Sequence, residues 1–159
     1  MSIQEGDKLP EVTLHTMNEG RPSPVTTADL FGGKRVVLFA VPGAFTPTCS
    51  QAHLPGYVVN ADSIKAKGVD SIVCLSVNDA FVMGAWGDGA NADALQMVGD
   101  GNGDFTKAIG LEMDGSGFGL GTRSQRYAMI VDDAKVTKLC VEAAGQLEVS
   151  AAEAILEAL

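Results

Sequence analysis

Cys49 lies in the run Val41-Pro42-Gly43-Ala44-Phe45-Thr46-Pro47-Thr48-Cys49-Ser50, between a short apolar segment and a stretch of helical character. A cysteine in the first turn of a helix meets unpaired backbone N–H groups and the positive end of the helix dipole, and both favour thiolate over thiol. The thiolate is the nucleophilic form, so a reactive sulfur is expected here. Thr46, three residues earlier, brings a hydroxyl to the same small space. Pro42 has no N–H to donate and is placed to shield the sulfur from water, besides ending the preceding strand. His53 falls four residues after Cys49 on the same helical face. Tuning of the thiolate is one reading of it; a structural, hydrogen-bonded histidine is the preferred one, which leaves His53 outside the catalytic set.

The elements that must hold these residues follow from hydrophobic pattern. Lys34 to Val41 is a continuous β-branched and aromatic run stopped by Pro42-Gly43, and reads as a buried strand that delivers the reactive loop. Helical character begins at Thr48, is expected to break at Pro55-Gly56, and resumes from Tyr57 to Lys67 before Gly68. Asp70 to Val77 is a second buried strand, so residues 34–77 form a β-α-β unit with parallel strands. A helix from Asp79 toward Trp86, a short strand at Ala94–Val98 and a brief helix at Asp104–Ile109 follow. The glycine-rich segment 110–121 reads as a loop. Arg126–Val131 and Val136–Val141 flank Asp132-Asp133-Ala134-Lys135 as a β-hairpin. Ser150-Ala151-Ala152-Glu153 has the capping-box pattern ahead of a docked C-terminal helix, and Val12–His15 suits an edge strand or hairpin arm. The sum is one α/β domain over residues 1–159, a central mixed sheet flanked by helices on both faces, as in a thioredoxin-like fold.

Pro42, Thr46 and Cys49 match the P-x-x-x-T-x-x-C motif of peroxiredoxins. The longer string through His53-Leu54-Pro55-Gly56-Tyr57 resembles the type II, or peroxiredoxin-5-like, subgroup, and the likeness extends over nearly the whole chain. Arg126-Tyr127-Ala128-Met129-Ile130-Val131-Asp132-Asp133 is similar to the strand start that carries the family's active-site arginine. Arg126 is therefore the candidate guanidinium, with Arg123 as its stand-in. The resemblance implies a thiol peroxidase that reduces hydrogen peroxide and small alkyl hydroperoxides, uses no cofactor beyond an external thiol, and forms a homodimer packed near the active loops. In such chemistry the thiolate attacks one peroxide oxygen and becomes a sulfenic acid, which a second thiol must reduce. Thr46, Arg126 and the backbone N–H of Cys49 are the expected donors around the reacting oxygens.

Cys74 follows Cys49 by 25 residues in a strand expected to be buried; some type II members carry a cysteine at this spacing that is proposed to resolve the sulfenic acid. Bridging needs Cα atoms within about 7 Å, so a resolving role for Cys74 requires local rearrangement. Cys140 reads as a strand residue without a role. Relatives with a resolving cysteine near the C-terminus place it near Gly145–Ser150, where this chain has none. A one-cysteine cycle is favoured, regenerated by glutathione, glutaredoxin or thioredoxin. The alternative from another class is a redox-sensing or chaperone-like binding module that oxidises at Cys49 without sustained turnover.

Other chemistries fit less well. Ala52 occupies the place a second cysteine needs in C-x-x-C, which removes thioredoxin-type exchange. Asp100-Gly101-Asn102-Gly103-Asp104 starts like a calcium loop, but Phe105 and Leu111 stand where an EF-hand needs glycine and glutamate. Gly115–Gly121 precedes a strand rather than linking strand to helix, so it is a poor phosphate loop. Two histidines and three cysteines at unrelated spacings give metal binding little support. A formal charge of −9 disfavours nucleic acid and anionic membrane as partners, and the apolar run Val36–Val41 is far too short to span a bilayer. The N-terminus has neither an apolar signal core nor an arginine-rich presequence pattern, and three sparse cysteines fit a reducing compartment, so a cytoplasmic protein is expected.

Overall fold

The computed structural model describes residues 2–159. Thr13–Asn18 (β1) and Arg21–Thr26 (β2) form an antiparallel hairpin turned at Glu19 and Gly20, both with positive φ. Pro22 and Pro24 lie in β2, at the edge of the sheet, where a missing N–H costs no ladder bond. Thr26 then starts α1 (Thr27–Phe31) with a capping box: its hydroxyl accepts from Asp29 N and its own N–H donates to the Asp29 carboxylate. Arg35–Val41 (β3), the helical segment ending in α2 (Leu54–Ala66), and Ser71–Ser76 (β4) make the expected β-α-β unit, with β3 and β4 parallel. Asp79 caps α3 (Ala80–Gly89), and Gln96–Gly99 (β5) lies parallel to β4. Asp104–Ala108 (α4), Glu112–Asp114 (β6), Thr122–Ser124 (β7), Tyr127–Asp132 (β8), Lys135–Val141 (β9) and Ala152–Ala158 (α5) complete the chain. The main sheet has the order β2-β1-β5-β4-β3-β8-β9, with β8 antiparallel to both β3 and β9.

Strand alternation sorts the core into two layers. Val37, Phe39 and Val41 of β3, Ile72 and Cys74 of β4, and Ala128 and Ile130 of β8 pack with Leu54, Tyr57, Ala61 and Ile64 of α2, Met83 and Trp86 of α3 and Ile155 of α5. Val36, Leu38 and Ala40, with Val73 and Leu75 and with Tyr127, Met129 and Val131, face α1 and α4 on the other side. Both faces are covered, which is why β3 and β4 read as unbroken apolar runs. Cys49 belongs to the first layer.

Three local expectations differ from the structure. The helix does not break at Pro55-Gly56. Cys49–His53 forms a π-turn that passes directly into α2, with Leu54 N–H donating to Cys49 O. A proline in a regular α-helix clashes with the carbonyl four residues back, and widening the preceding turn relieves that conflict without ending the helix. The glycine-rich segment 110–121 is not all loop: β6 pairs with β7 around a 3₁₀ turn at Ser116–Phe118. The capping box at Ser150 is absent because Ala151 is the N-cap of α5 and the Ser150 hydroxyl is taken by Glu142.

Candidate active site

β3 and β4 run parallel and end at one edge of the sheet, so the loops after them lie side by side, the usual place for a site in such a sheet. The loop after β3 is Pro42–Pro47. Asn78, just past β4, accepts from Ala44 N–H at 3.0 Å and from the Ser76 hydroxyl at 2.7 Å, tying the two loops together. Arg123 ties a third: its Nη1 donates to Pro42 O at 3.3 Å and its Nε to Leu120 O at 3.0 Å. Gly43 is required for that approach, since a Cβ there would lie 2.9 Å from Arg123 Nη1 and 3.1 Å from Thr46 Cγ2. Phe45 follows at φ 66°, a left-handed conformation that only a well-determined loop imposes on a bulky residue. Arg123 is thus a brace for the loop, and Arg126 alone of the two reaches the sulfur.

Arg126 stands one residue before β8, on the same side of the sheet as Ala128 and hence in the Cys49 layer. Its Nη2 donates to Cys49 Sγ at 3.2 Å. Its Nη1 donates to His53 Nδ1 at 2.8 Å, and His53 Nε2 lies 3.0 Å from Ser150 O. A guanidinium only donates and a carbonyl only accepts, so the imidazole is neutral, with its proton on Nε2. Burial, the largest cause, together with the charge of Arg126 lowers the His53 pKa to about 4, against the opposing effects of Ser150 O and Glu142. The π-turn, wider than an α turn, carries Cys49 and His53 on the side that faces one guanidinium.

Cys49 has no accessible surface, while Pro42, Thr46 and Arg126 around it are half-buried. The structure brings Arg126 to the Cys49 sulfur and places Pro42 and Thr46 on the loop that leads into Cys49, with a difference at Thr46. Its hydroxyl does not donate to sulfur. It donates to Gly43 O at 2.6 Å, because the turn brings that carbonyl within reach, and what it offers the pocket is its lone pairs. Asn78 had no signal beyond being a polar residue near a strand end, and Arg123, expected only as a stand-in for Arg126, serves instead to hold the loop through Pro42 O and Leu120 O.

Residues 4–156 match the family model described as Redoxin. The chain is 51% identical over 165 residues to peroxiredoxin-2E-2, chloroplastic, of Oryza sativa subsp. japonica, covering 99% of this chain and 73% of that protein. It is 46% identical over 159 residues to peroxiredoxin-2B of Arabidopsis thaliana, with 99% and 98% covered. The chain belongs to the peroxiredoxin family. A solved structure of reduced Prx3 in complex with H2O2 from Vibrio vulnificus has a TM-score of 0.95 at 59% identity, covering 98% of each chain. As a peroxiredoxin of the type II kind this protein is a thiol-dependent peroxidase on a thioredoxin-like fold.

The other thiols of this peroxiredoxin are differently placed. Cys74 is fully buried in β4, in the same core layer as Cys49, and burial first and the nearby Cys49 second push its thiol well above the usual cysteine range. Cys140, half-buried in β9, is also shifted upward, by burial above all. All three cysteines are free. Asp100, in the segment that begins like a calcium loop, turns its carboxylate inward to accept from Phe105 N, Thr106 N and the Thr106 hydroxyl, as a cap for α4. Among the described residues no cluster of His, Cys, Asp and Glu is placed to hold a metal ion, and no helix is long and apolar enough to cross a membrane.

Proposed function

We propose that Cys49 is the peroxidatic thiol, that Arg126, Thr46 and Pro42 build the pocket in which it reacts, and that the cycle uses one cysteine. The observation that carries this reading is the 3.2 Å contact from Arg126 to the Cys49 sulfur at the start of a helical segment. A guanidinium at that distance favours thiolate. The thiolate attacks the terminal peroxide oxygen; the S–O bond forms as the O–O bond breaks. Sulfur is oxidised by two electrons to sulfenic acid, and the peroxide is reduced to an alkoxide or hydroxide that takes a proton and leaves as alcohol or water. Arg126 stabilises the charge that shifts from sulfur to the leaving oxygen. Thr46, with its own proton on Gly43 O, accepts a hydrogen bond from the incoming peroxide. Pro42 walls the pocket without adding a competing N–H. The substrates are hydrogen peroxide and small alkyl hydroperoxides.

An external thiol of the glutathione, glutaredoxin or thioredoxin type then attacks the sulfenic acid, releasing water and leaving a mixed disulfide. A second thiol cleaves that disulfide, so electrons balance without a resident cofactor. The burial and raised pKa of Cys74 support assigning resolution to an outside thiol. Exposed Phe45 and Phe118, on the active loop and the β6–β7 turn, support a homodimer that covers this side of the molecule. The cytoplasm is the proposed compartment, in keeping with three unpaired thiols. Steady-state peroxide consumption with each reductant in turn tests the assignment. Cys49→Ser should consume none, and turnover that survives this change would place the chemistry elsewhere.

A further inference from the structure

From the sulfur, hydrogen bonds continue to the C-terminal turn. His53 Nε2–H donates to Ser150 O, which also receives the Tyr57 hydroxyl at 2.7 Å. Ser150 is fully buried, and its N–H and hydroxyl both donate to Glu142 Oε2, at 2.8 Å and 2.7 Å. The same carboxylate oxygen accepts from Glu148 N at 2.7 Å. Glu142 is also the next step of the ladder beyond β9, with its N–H donating to Arg126 O at 3.0 Å. Glu142 thus sits across from Arg126 without an ion pair between them; the one ion pair among the described residues joins Arg35 and Asp132. The C-terminal turn occupies the carboxylate with three donors. The contact to Arg126 Nη1 is left to an uncharged imidazole, which aligns the guanidinium without cancelling its field at the sulfur.

We propose that Glu142 and His53 are positioning residues that set the reactivity of Cys49 through Ser150 and Arg126. This rests on the reading of Cys49 as the peroxidatic thiol and extends it to residues that never touch the peroxide. The sign of the effect separates it from simple charge. Removing the negative Glu142 through space alone would make a neighbouring thiol more acidic. Releasing Ser150, and with it His53 and the guanidinium, would make it less acidic.

The test follows the pH midpoint of Cys49 alkylation by peptide mapping, and the second-order rate of its oxidation by hydrogen peroxide. The variants are Glu142→Ala, Glu142→Gln, His53→Leu and His53→Asn, with Arg126→Ala as reference. Glu142→Ala and His53→Leu should raise the midpoint by about one pH unit, the low end of what a neighbouring guanidinium supplies. They should also slow oxidation by roughly tenfold to a hundredfold, as a misaligned site does. Glu142→Gln keeps an acceptor oxygen and should stay near the parent; His53→Asn places an acceptor where Nδ1 stands but loses the bond to Ser150 O, and should fall between the parent and His53→Leu. If Glu142→Ala does not fold, His53→Leu and its partial rescue by Asn carry the test. A midpoint that falls or stays put in Glu142→Ala and His53→Leu, while Arg126→Ala raises it, overturns the positioning role alone. A midpoint unmoved even in Arg126→Ala overturns the reading of the site beneath it.

Discussion

One donor from outside its own helix reaches the Cys49 sulfur, Arg126 Nη2 at 3.2 Å. Replacing Arg126 by Ala should therefore raise the alkylation midpoint of Cys49, by about one to three pH units for a lost neighbouring cation; a titration of alkylation rate against pH reads it directly. In the proposed mechanism Thr46 acts on the substrate side. Thr46→Val keeps the shape and removes the oxygen, so oxidation by peroxide should slow about a hundredfold, while Thr46→Ser should stay near the parent in stopped-flow measurements. His53 gives a pH signature in stability. Its folded pKa of about 4 lies below the unfolded value of 6.5, so the unfolded chain binds more protons between these values. Its contribution is fully present above pH 6.5 and is lost as pH falls toward 4, at a cost of about 3 kcal/mol, since each unit is worth about 1.36 kcal/mol. Urea unfolding at pH 7 and pH 4.5 should show that loss in the parent and a smaller one in His53→Leu. Pro42, Thr46 and Cys49 stand out as candidates by motif spacing and Arg126 by the likeness of the string it opens, and of Pro42, Thr46 and Arg126 the last is the one with a hydrogen bond to the sulfur. The use of His53 as an acceptor for Arg126 was not legible, because its partners come from residues 73 and 97 positions away.

Among elements, the π-turn at Cys49–His53 decides which side chains share the guanidinium. Pattern reading located its start and misjudged its end. Pro55-Gly56 reads locally as a stop, whereas the folded chain absorbs Pro55 in the first turn of α2 by widening the turn ahead of it. Pro55→Ala removes the reason for the widening. Peroxide oxidation of Cys49 should slow in that variant with thermal stability kept or raised, and an unchanged rate would detach the π-turn from reactivity. The strands were read more reliably than the caps. β3, β4 and β8 each fall within one or two residues of the expected segments, since burial on both faces writes a continuous apolar run, and β9, a half-exposed edge strand, does so as the second arm of the hairpin. Ser150 satisfied the capping-box pattern and yet serves Glu142, eight residues earlier. A short polar side chain follows the nearest strong acceptor, which a local pattern does not display.

For the whole molecule, the sheet order β2-β1-β5-β4-β3-β8-β9 brings the end of β3, the end of β4 and the start of β8 to one edge, so residues far apart in sequence meet at one sulfur. The mixed sheet and its helical layers followed from the alternation of elements. The position of the β1–β2 hairpin beside β5 did not, because β1 meets β5 at the single register pair His15↔Gly99, which leaves little trace in pattern. Phe45 on the active loop and Phe118 on the β6–β7 turn are both exposed, and size-exclusion chromatography with light scattering should report a dimer that Phe118→Asp weakens. The reaction itself is tested most directly by giving the reduced protein one equivalent of hydrogen peroxide with a sulfenic-acid trapping reagent, then mapping the adduct by mass. The expected result is one adduct, on Cys49, with Cys74 and Cys140 still free thiols. An adduct on either of those cysteines, with Cys49 left reduced, would contradict the assignment of the chemistry to Cys49; a Cys49–Cys74 disulfide in place of the adduct would contradict the one-cysteine cycle.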